Sequence, residues 1–462
     1  MKELLRRYIK DKKVLILGFG REGRSTIRLL QYFFPSLKMA IADRNPGLPL
    51  TEVENEKVSE LFLGKDYLNA LGWADIVFKS PGINLGKSID SSIKQKIVSQ
   101  TSLFLEKYST QTIGITGTKG KSTTASLTYH ILKEAGKEVV LVGNIGIPPF
   151  DLLQNISRKS TIIFEISAHQ LEYINHSPHI AVLLNIFQEH LDYFSSMDDY
   201  SSAKFNIAKY QQTNDFLIFD NSNLIIKKLL SDYKYNGQKI AIQLSDKIYD
   251  ARNQTIHIAG LQEPICVKNS MLHGRHNLKN IIITASILSK AGLQAKDIER
   301  GLPTFKPLEH RLEDLGVVAD IRFINDSIST IPESTIEAIH TLLDVDTIIL
   351  GGHDRGVNYN KLVNLLADSA IRNLIFMGGA GERMMRLFAK KNRPTKNLFF
   401  VNRMSETEKI IVDYTQKDKI CLLSPAAASY DQFNNFEERG RAFKAMINSI
   451  KEKHELPDKD NP

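Results

Sequence analysis

The chain has 462 residues, of which 42% are hydrophobic and 24% charged, with a formal net charge of +8. At roughly 150 residues per domain this predicts three globular domains, each large enough to bury its own core. The 60 Lys and Arg are interleaved with 52 Asp and Glu, without the clustered basic and aromatic pattern of nucleic-acid binders, so anionic small molecules are the expected partners and nucleic acid is not.

The segment Met1 to Lys13 is charged and has no apolar leader core, and no run of ~18 apolar residues occurs, so the expectation is a cytoplasmic protein without a membrane span. Cys266 and Cys421 lie far apart and outside any metal-ligand pattern, which fits a reducing compartment.

The first domain opens with an apolar run, Lys13 to Leu17, followed by Gly18-Phe19-Gly20-Arg21-Glu22-Gly23 and helical spacing to about Phe34. A second apolar run, Met39 to Ala42, ends at Asp43, 20 residues past Gly23, where a Rossmann unit places its ribose-binding acid. A dehydrogenase, a simple tight turn and a site for a nucleotide diphosphate are all compatible with this pattern. The third is favoured, because no hydride-transfer site follows. Another strand-like run precedes Lys79-Ser80-Pro81-Gly82.

The middle domain begins with a β-branched run, Thr112-Ile113, then Gly114-Ile115-Thr116-Gly117-Thr118-Lys119-Gly120-Lys121-Ser122, then helical spacing from Thr123 to Leu132. A glycine-rich turn between strand and helix presents backbone N–H groups to phosphate oxygens. Lys121 would reach the β- and γ-phosphates and Ser122 or Thr123 would meet Mg²⁺. The spacing is irregular, since a strict G-x-x-x-x-G-K-[ST] loop needs glycine where Ile115 stands. A glycine-rich turn that binds no nucleotide is the alternative.

Strands are predicted at Glu138 to Val142, Thr161 to Phe164, His179 to Leu184 and Phe216 to Phe219. Glu165 and His190 follow two of these runs, where α/β sheets place ligands, and could hold a cation between them; single residues at strand ends are otherwise caps or surface groups. The tail from Lys451 to Pro462 reads as disordered.

Several ordered motifs carry a resemblance to the Mur ligase family over nearly the whole chain. They are Gly117 to Thr123, Gly143-Asn144-Ile145-Gly146, Glu165-Ile166-Ser167-Ala168-His169-Gln170-Leu171-Glu172, and Gly274 to Asn277 with Asn280. His310 to Glu313, Asn325-Asp326-Ser327 and Leu423 to Phe433 complete the set. The resemblance implies an α/β fold of three domains: a Rossmann-like one for a UDP-sugar at 1–104, a central ATPase-type sheet at 105–303, and a Rossmann-like domain for an amino acid at 304–462. A monomer is expected, with a hinge near Phe305 to Pro307.

By resemblance, Gly18, Gly20, Asp43, Arg44, Ser80, Gly82, Asn144, Ser167 and Gln170 would hold UDP-N-acetylmuramoyl-L-alanine. Gly117, Thr118, Lys119, Gly120, Lys121, Ser122, Thr123, Asn280, Arg311 and Asp326 would hold ATP. Ser122, Glu165, His190 and Lys204 would hold Mg²⁺, with Lys121, Lys204 and His190 catalytic and Lys204 carbamylated. Arg355, Ser429 and Phe436 would hold the incoming glutamate. The implied reaction is amide formation through an acyl phosphate.

The chain departs from the pattern of the glutamate-adding enzymes on the amino-acid side. Ile328 and Arg355 stand where those enzymes carry lysines, and Glu189 replaces an aspartate. Ser429 and Phe436, by contrast, match family positions at the glutamate side chain, so D-glutamate remains the expectation, with L-glutamate as the alternative. Other Mur or folylpolyglutamate-type ligases share the phosphate loop, and a P-loop regulatory protein would need only residues 112–124.

Overall fold

Runs rich in Val, Ile, Leu and Phe alternate along the chain with amphipathic helical segments. In the computed structural model they build three mainly parallel sheets flanked by helices, the arrangement that buries both faces of such strands. The structure describes residues 1–86, 89–143, 147–187, 189, 193–272, 274–306, 309–342, 344–391 and 395–455. The chain divides into two compact units, Met1–Phe305 and Lys306–Pro462.

The first unit contains two large sheets. Strands β1 to β5 (Val14–Leu17, Met39–Asp43, Val58–Leu63, Ile76–Lys79, Ile97–Val98) are parallel in the order β3-β2-β1-β4-β5. The order runs outward in both directions from β1 and β4, so their carboxyl ends border the crevice where open α/β sheets bind ligands. Gly18 turns the chain there at φ +86°. Gly23, in the following helix Arg21–Phe33, packs so closely that a Cβ on it would stand 2.2 Å from the Gly18 carbonyl oxygen.

The second sheet comprises β6 to β11 (Thr112–Thr116, Val139–Gly143, Thr161–Glu165, Ile180–Leu183, Phe216–Asp220, Gln238–Ile242), parallel in the order β11-β10-β9-β6-β8-β7. The four predicted strands of this sheet are all present, with ends within two residues. Buried Ile113, Ile115, Leu127 and Ile282 fill one face and Phe164, Leu183, Phe205 and Phe219 the other. Three two-residue strands, β12 to β14 (Tyr249–Asp250, Thr255–Ile256, Ile265–Cys266), form a small antiparallel sheet. Of the expected hinge, Phe305 is buried in the core of this unit and Pro307 lies outside the described residues.

The second unit holds β15 to β20 (Glu313–Val318, Ile321–Asn325, Val345–Gly351, Asn373–Met377, Asn397–Val401, Ile420–Leu423) in the order β15-β16-β20-β17-β18-β19, with only β15 antiparallel. Its last helix, Phe436–Glu455, corrects the expected disorder at Lys451 to Glu455. Phe443, Met446, Ile447 and Ile450 form a buried stripe at helical spacing, and Lys453 and His454 suit the helix's negative end. Residues 456–462 lie outside the described ones.

The Gly18 and Gly23 contact yields a stability prediction. Gly23→Ala is expected to destabilise the first unit by about 1 to 3 kcal/mol through overpacking, read as a lower denaturant midpoint; an unchanged midpoint would show that the turn can yield.

Candidate active site

The phosphate loop is a turn whose shape is imposed from a neighbouring strand. Strand β6 continues through Ile115, fully buried and paired with Val182 and Glu165, so the loop begins at Gly117 and the irregular spacing has a structural cause. Asn185, beyond β9, accepts the Thr118 N–H on its carbonyl at 2.9 Å and the Lys119 N–H on Oδ1 at 2.8 Å, and donates from Nδ2 to the Lys119 carbonyl at 3.0 Å. Gly120 turns at φ +85°, and a Cβ there would meet Asn280 Oδ1 at 2.8 Å. The fold therefore brings Asn280 to the loop, as expected.

Lys121 Nζ donates to the carbonyls of Gly117 and Thr118 at 2.9 and 3.1 Å. Lys119 pairs with Glu189 at 3.0 Å, so the longer acid at position 189 reaches the loop itself. Thr118 Oγ1 accepts the Phe187 N–H at 3.0 Å and lies 3.1 Å from the Tyr200 hydroxyl, and Thr123 is buried in the first helical turn. Ser122 Oγ donates to Glu165 Oε1 at 2.9 Å, and Glu165 is fully buried at the end of β8.

Lys204, from the helix Met197–Lys209, is buried with its Nζ on the Gly117 carbonyl at 2.8 Å and 4.9 Å from the centre of the Tyr200 ring. Burial, and then the Lys121 charge, hold its ammonium well below the usual lysine range. Among the described residues no three His, Cys, Asp or Glu side chains gather as a metal site. Ser122 and Glu165 nevertheless offer adjacent hard oxygen donors, which suits a Mg²⁺ that keeps waters and phosphate oxygens. His190 and Asn144 lie outside the described residues.

At the crevice of the first sheet, Ser80 Oγ donates to the Gly18 carbonyl at 2.7 Å, and Asp43 accepts the Phe19 and Asn45 N–H groups at 2.7 and 2.8 Å. Arg44, Gly20 and Gly82 are exposed beside it. A cavity of about 310 Å³ connects this edge to the phosphate loop; it is lined by Pro81, Gly82, Lys121, Ser167, Tyr200 and Lys204.

The two sheets of this unit are joined by a buried polar cluster. Lys79 Nζ donates to Tyr193 Oη at 3.2 Å and lies 3.7 Å from Glu172, while Tyr193 Oη donates to the Ile83 carbonyl and to Glu172, each at 2.9 Å. Burial pulls Lys79 down to about 8 against the pull of Glu172 and Glu22. Gln170 caps its own turn by accepting the Ser167 N–H at 3.0 Å and donates to Glu22 at 2.9 Å. Burial pushes the Glu22 carboxyl up to about 6.

In the second unit Asp326 is buried, accepting from Ser329 and Ser424 hydroxyls at 2.5 and 2.7 Å and from the Leu312 N–H at 3.3 Å. Arg311, next to Leu312 in sequence, attracts the Asp326 carboxylate. Ser429 is buried past β20, Phe436 begins the last helix, and Arg355, mostly exposed, donates to the Thr330 carbonyl at 3.2 Å.

Asn185, Tyr200, Lys79, Glu22, Tyr193 and Arg439 went unassigned in the sequence. Asn185 alone carried a signal, as a polar residue directly after a buried strand next to the loop.

Comparison with known proteins places these features in context. The Mur ligase middle domain matches residues 115–288. UDP-N-acetylmuramoylalanine–D-glutamate ligases of Clostridium botulinum (strain Hall) and Caldanaerobacter subterraneus subsp. tengcongensis are each 29% identical to this chain. These matches span 453 and 455 residues, 96% of this chain and 98% and 99% of those proteins. Among solved structures, UDP-N-acetylmuramate-alanine ligase MurC from Thermotoga maritima has a TM-score of 0.56 at 17% identity, covering 95% of this chain and 99% of that one. MurF from Acinetobacter baumannii has a TM-score of 0.57 at 16% identity, covering 91% and 88%. These two carry the fold.

Burial raises the Asp326 carboxyl to about 6, although the hydroxyl and amide donors pull it back. An acid whose folded pKa is raised adds stability below its ordinary value near 4, and that stability is lost as pH climbs through about 6. The second unit should thus lose about 2 to 3 kcal/mol between pH 4 and 7 from this group, and Asp326→Asn should flatten the slope of its unfolding midpoint against pH. An equally steep slope in the variant would assign the effect elsewhere.

Proposed function

We propose, from the match of residues 115–288 to the Mur ligase middle domain and the likeness to D-glutamate ligases along the chain, that this chain is an ATP-dependent acid–amino-acid ligase joining D-glutamate to UDP-N-acetylmuramoyl-L-alanine in peptidoglycan precursor synthesis. The observation that carries this reading is the cavity running from Pro81 and Gly82 to Lys121 and Lys204. A carboxylate borne on a nucleotide sugar seated at β1 and β4 can enter it and meet a phosphate on the loop. In this reading residues 1–104 take the nucleotide sugar, 105–303 take ATP and 304–462 take the amino acid.

A carboxylate has no leaving group of its own. Its oxygen attacks the γ-phosphorus of ATP, ADP departs, and an acyl phosphate results. The glutamate amine, having lost a proton, then adds to the acyl carbon, and the tetrahedral intermediate expels inorganic phosphate to leave the amide. Positioning and charge neutralisation supply most of such catalysis. Two like charges ~4 Å apart cost about 4 kcal/mol at an effective dielectric of 20, so the loop amides and Lys121 must offset the phosphate charge as the carboxylate approaches. Ser122 and Glu165, with His190 by resemblance, would hold Mg²⁺, which supplies further charge neutralisation.

Lys204 has the environment for carbamylation. Burial and the Lys121 charge favour its neutral amine, whose lone pair would add to the carbon of CO₂ with loss of a proton, converting a would-be cation into an anionic oxygen donor at the phosphate loop, where Nζ meets the Gly117 carbonyl. Gly18, Ser80, Gly82, Ser167 and Gln170 are the proposed nucleotide-sugar contacts, and Arg355, Ser429 and Phe436 the proposed amino-acid contacts. Ile328, apolar beside Asp326 and Ser327, keeps L-glutamate open as the second acceptor.

Phosphate release by the purified chain with ATP, Mg²⁺ and UDP-N-acetylmuramoyl-L-alanine should rise on adding D-glutamate more than L-glutamate; absence of stimulation by any amino acid would sink the assignment. Lys121→Met should lower kcat by about 10²- to 10³-fold, in the range for losing one preorganised charge-stabilising donor. Stripping dissolved CO₂ should lower wild-type activity and bicarbonate should restore it, whereas indifference to CO₂ would remove the carbamate.

A further inference from the structure

The loops that follow β16, β17 and β20 lie side by side at the carboxyl edge of the second unit's sheet, and one buried arginine ties them together. Arg439, in the first turn of the helix Phe436–Glu455, is 1% exposed. Its Nε donates to Ser327 Oγ at 3.0 Å and its Nη2 to the Ser327 carbonyl at 2.8 Å, both past β16. Its Nη1 donates to the Ala427 carbonyl at 3.0 Å, past β20, and to the Gly351 carbonyl at 3.4 Å, at the end of β17. Ser327 Oγ in turn donates to the Phe436 carbonyl at 2.8 Å. Gly352 permits the approach, because a Cβ on it would lie 3.1 Å from Nη1 and 2.2 Å from the Ala428 carbonyl, at φ +137°.

A guanidinium is a planar fork of five donors, able to hold three loops in fixed register where an ammonium could not. Its acceptors here are three carbonyls and a hydroxyl, and among the described residues no carboxylate forms an ion pair with it. Burial lowers its pKa only to about 10, against the opposing charges of Asp431 and Asp326, so it is a cation at neutral pH. A buried charge left without a direct counter-ion is costly unless something uses it. The loops it joins carry Ser429 and Arg355, and Ile328 beside Ser327 brings no charge of its own.

We propose that Arg439 is the positioning residue of the acidic amino-acid subsite: it sets the register of the loops after β16, β17 and β20, and its charge, held in no direct ion pair, favours the carboxylate of the incoming acidic amino acid. The proposal rests on the ligase reading and names a determinant within it. Arg439 need not touch the substrate.

The test is steady-state kinetics on the full chain, wild type against Arg439→Lys and Arg439→Met, with KM measured separately for glutamate, nucleotide sugar and ATP, alongside thermal unfolding. Arg439→Lys keeps the charge and loses the fork, so KM for glutamate should rise about tenfold, the scale of one charged hydrogen bond, while the other two KM values stay within about twofold. Arg439→Met should raise it further; if that variant does not fold, the lysine variant carries the comparison alone.

A structural role alone would lower kcat with the folded fraction and leave KM for glutamate unchanged. That result, or a parallel rise of all three KM values, overturns the proposal while leaving the ligase reading intact. Wild-type turnover with no acidic amino acid overturns both.

Discussion

Asn185 holds the phosphate loop from outside, and the chemistry of the first unit depends on that hold. Its main chain and side chain take two loop N–H groups and give one N–H back, so Thr118 and Lys119 cannot rotate independently of β9. With the loop fixed, the Gly117 carbonyl becomes a shared acceptor for Lys121 and Lys204, and Ser122 is set against Glu165. Burial favours the neutral form of Lys204, and the charge of Lys121 on the same carbonyl adds to that preference. The lowered basicity of that amine thus follows first from its burial and then from sharing an acceptor with Lys121.

The two glycine-rich turns were legible because both impose backbone conformations that few other residues adopt, and because each sits between a buried strand and a helix. Strand positions in the middle sheet were legible because parallel strands buried on both faces are continuous apolar runs. Ile115 looked like a defect in the loop and is a fully buried residue of β6, which runs on to Thr116, a distinction that only the strand pairing reveals. The tail was misjudged for the opposite reason: Lys451 to Glu455 is polar by composition, yet it continues a helix anchored one turn earlier by Ile447 and Ile450.

What sequence could not convey was the burial of charge. Lys79, Glu22, Arg439 and Lys204 carry no mark of burial in their own residue type, since a lone Lys, Arg or Glu is normally solvated. They are buried because strands and loops distant in sequence close over them. Lys79 meets Tyr193 more than a hundred residues away, and Arg439 meets Ser327 at a similar separation. Each costs folding energy that an apolar residue would not, so these sites mark where the fold gives up stability for placement.

The bridge of Lys79, Glu172 and Tyr193 links the Ser80 to Asn84 turn to the segment that follows the phosphate loop's neighbouring strand. It fixes the distance between the Ser80 edge and the phosphate loop, a built-in ruler. For the proposed nucleotide sugar, the length of the arm between nucleotide and carboxylate would then be measured against it: a shorter arm would stop short of Lys121 and a longer one would have to buckle, however well its head group binds.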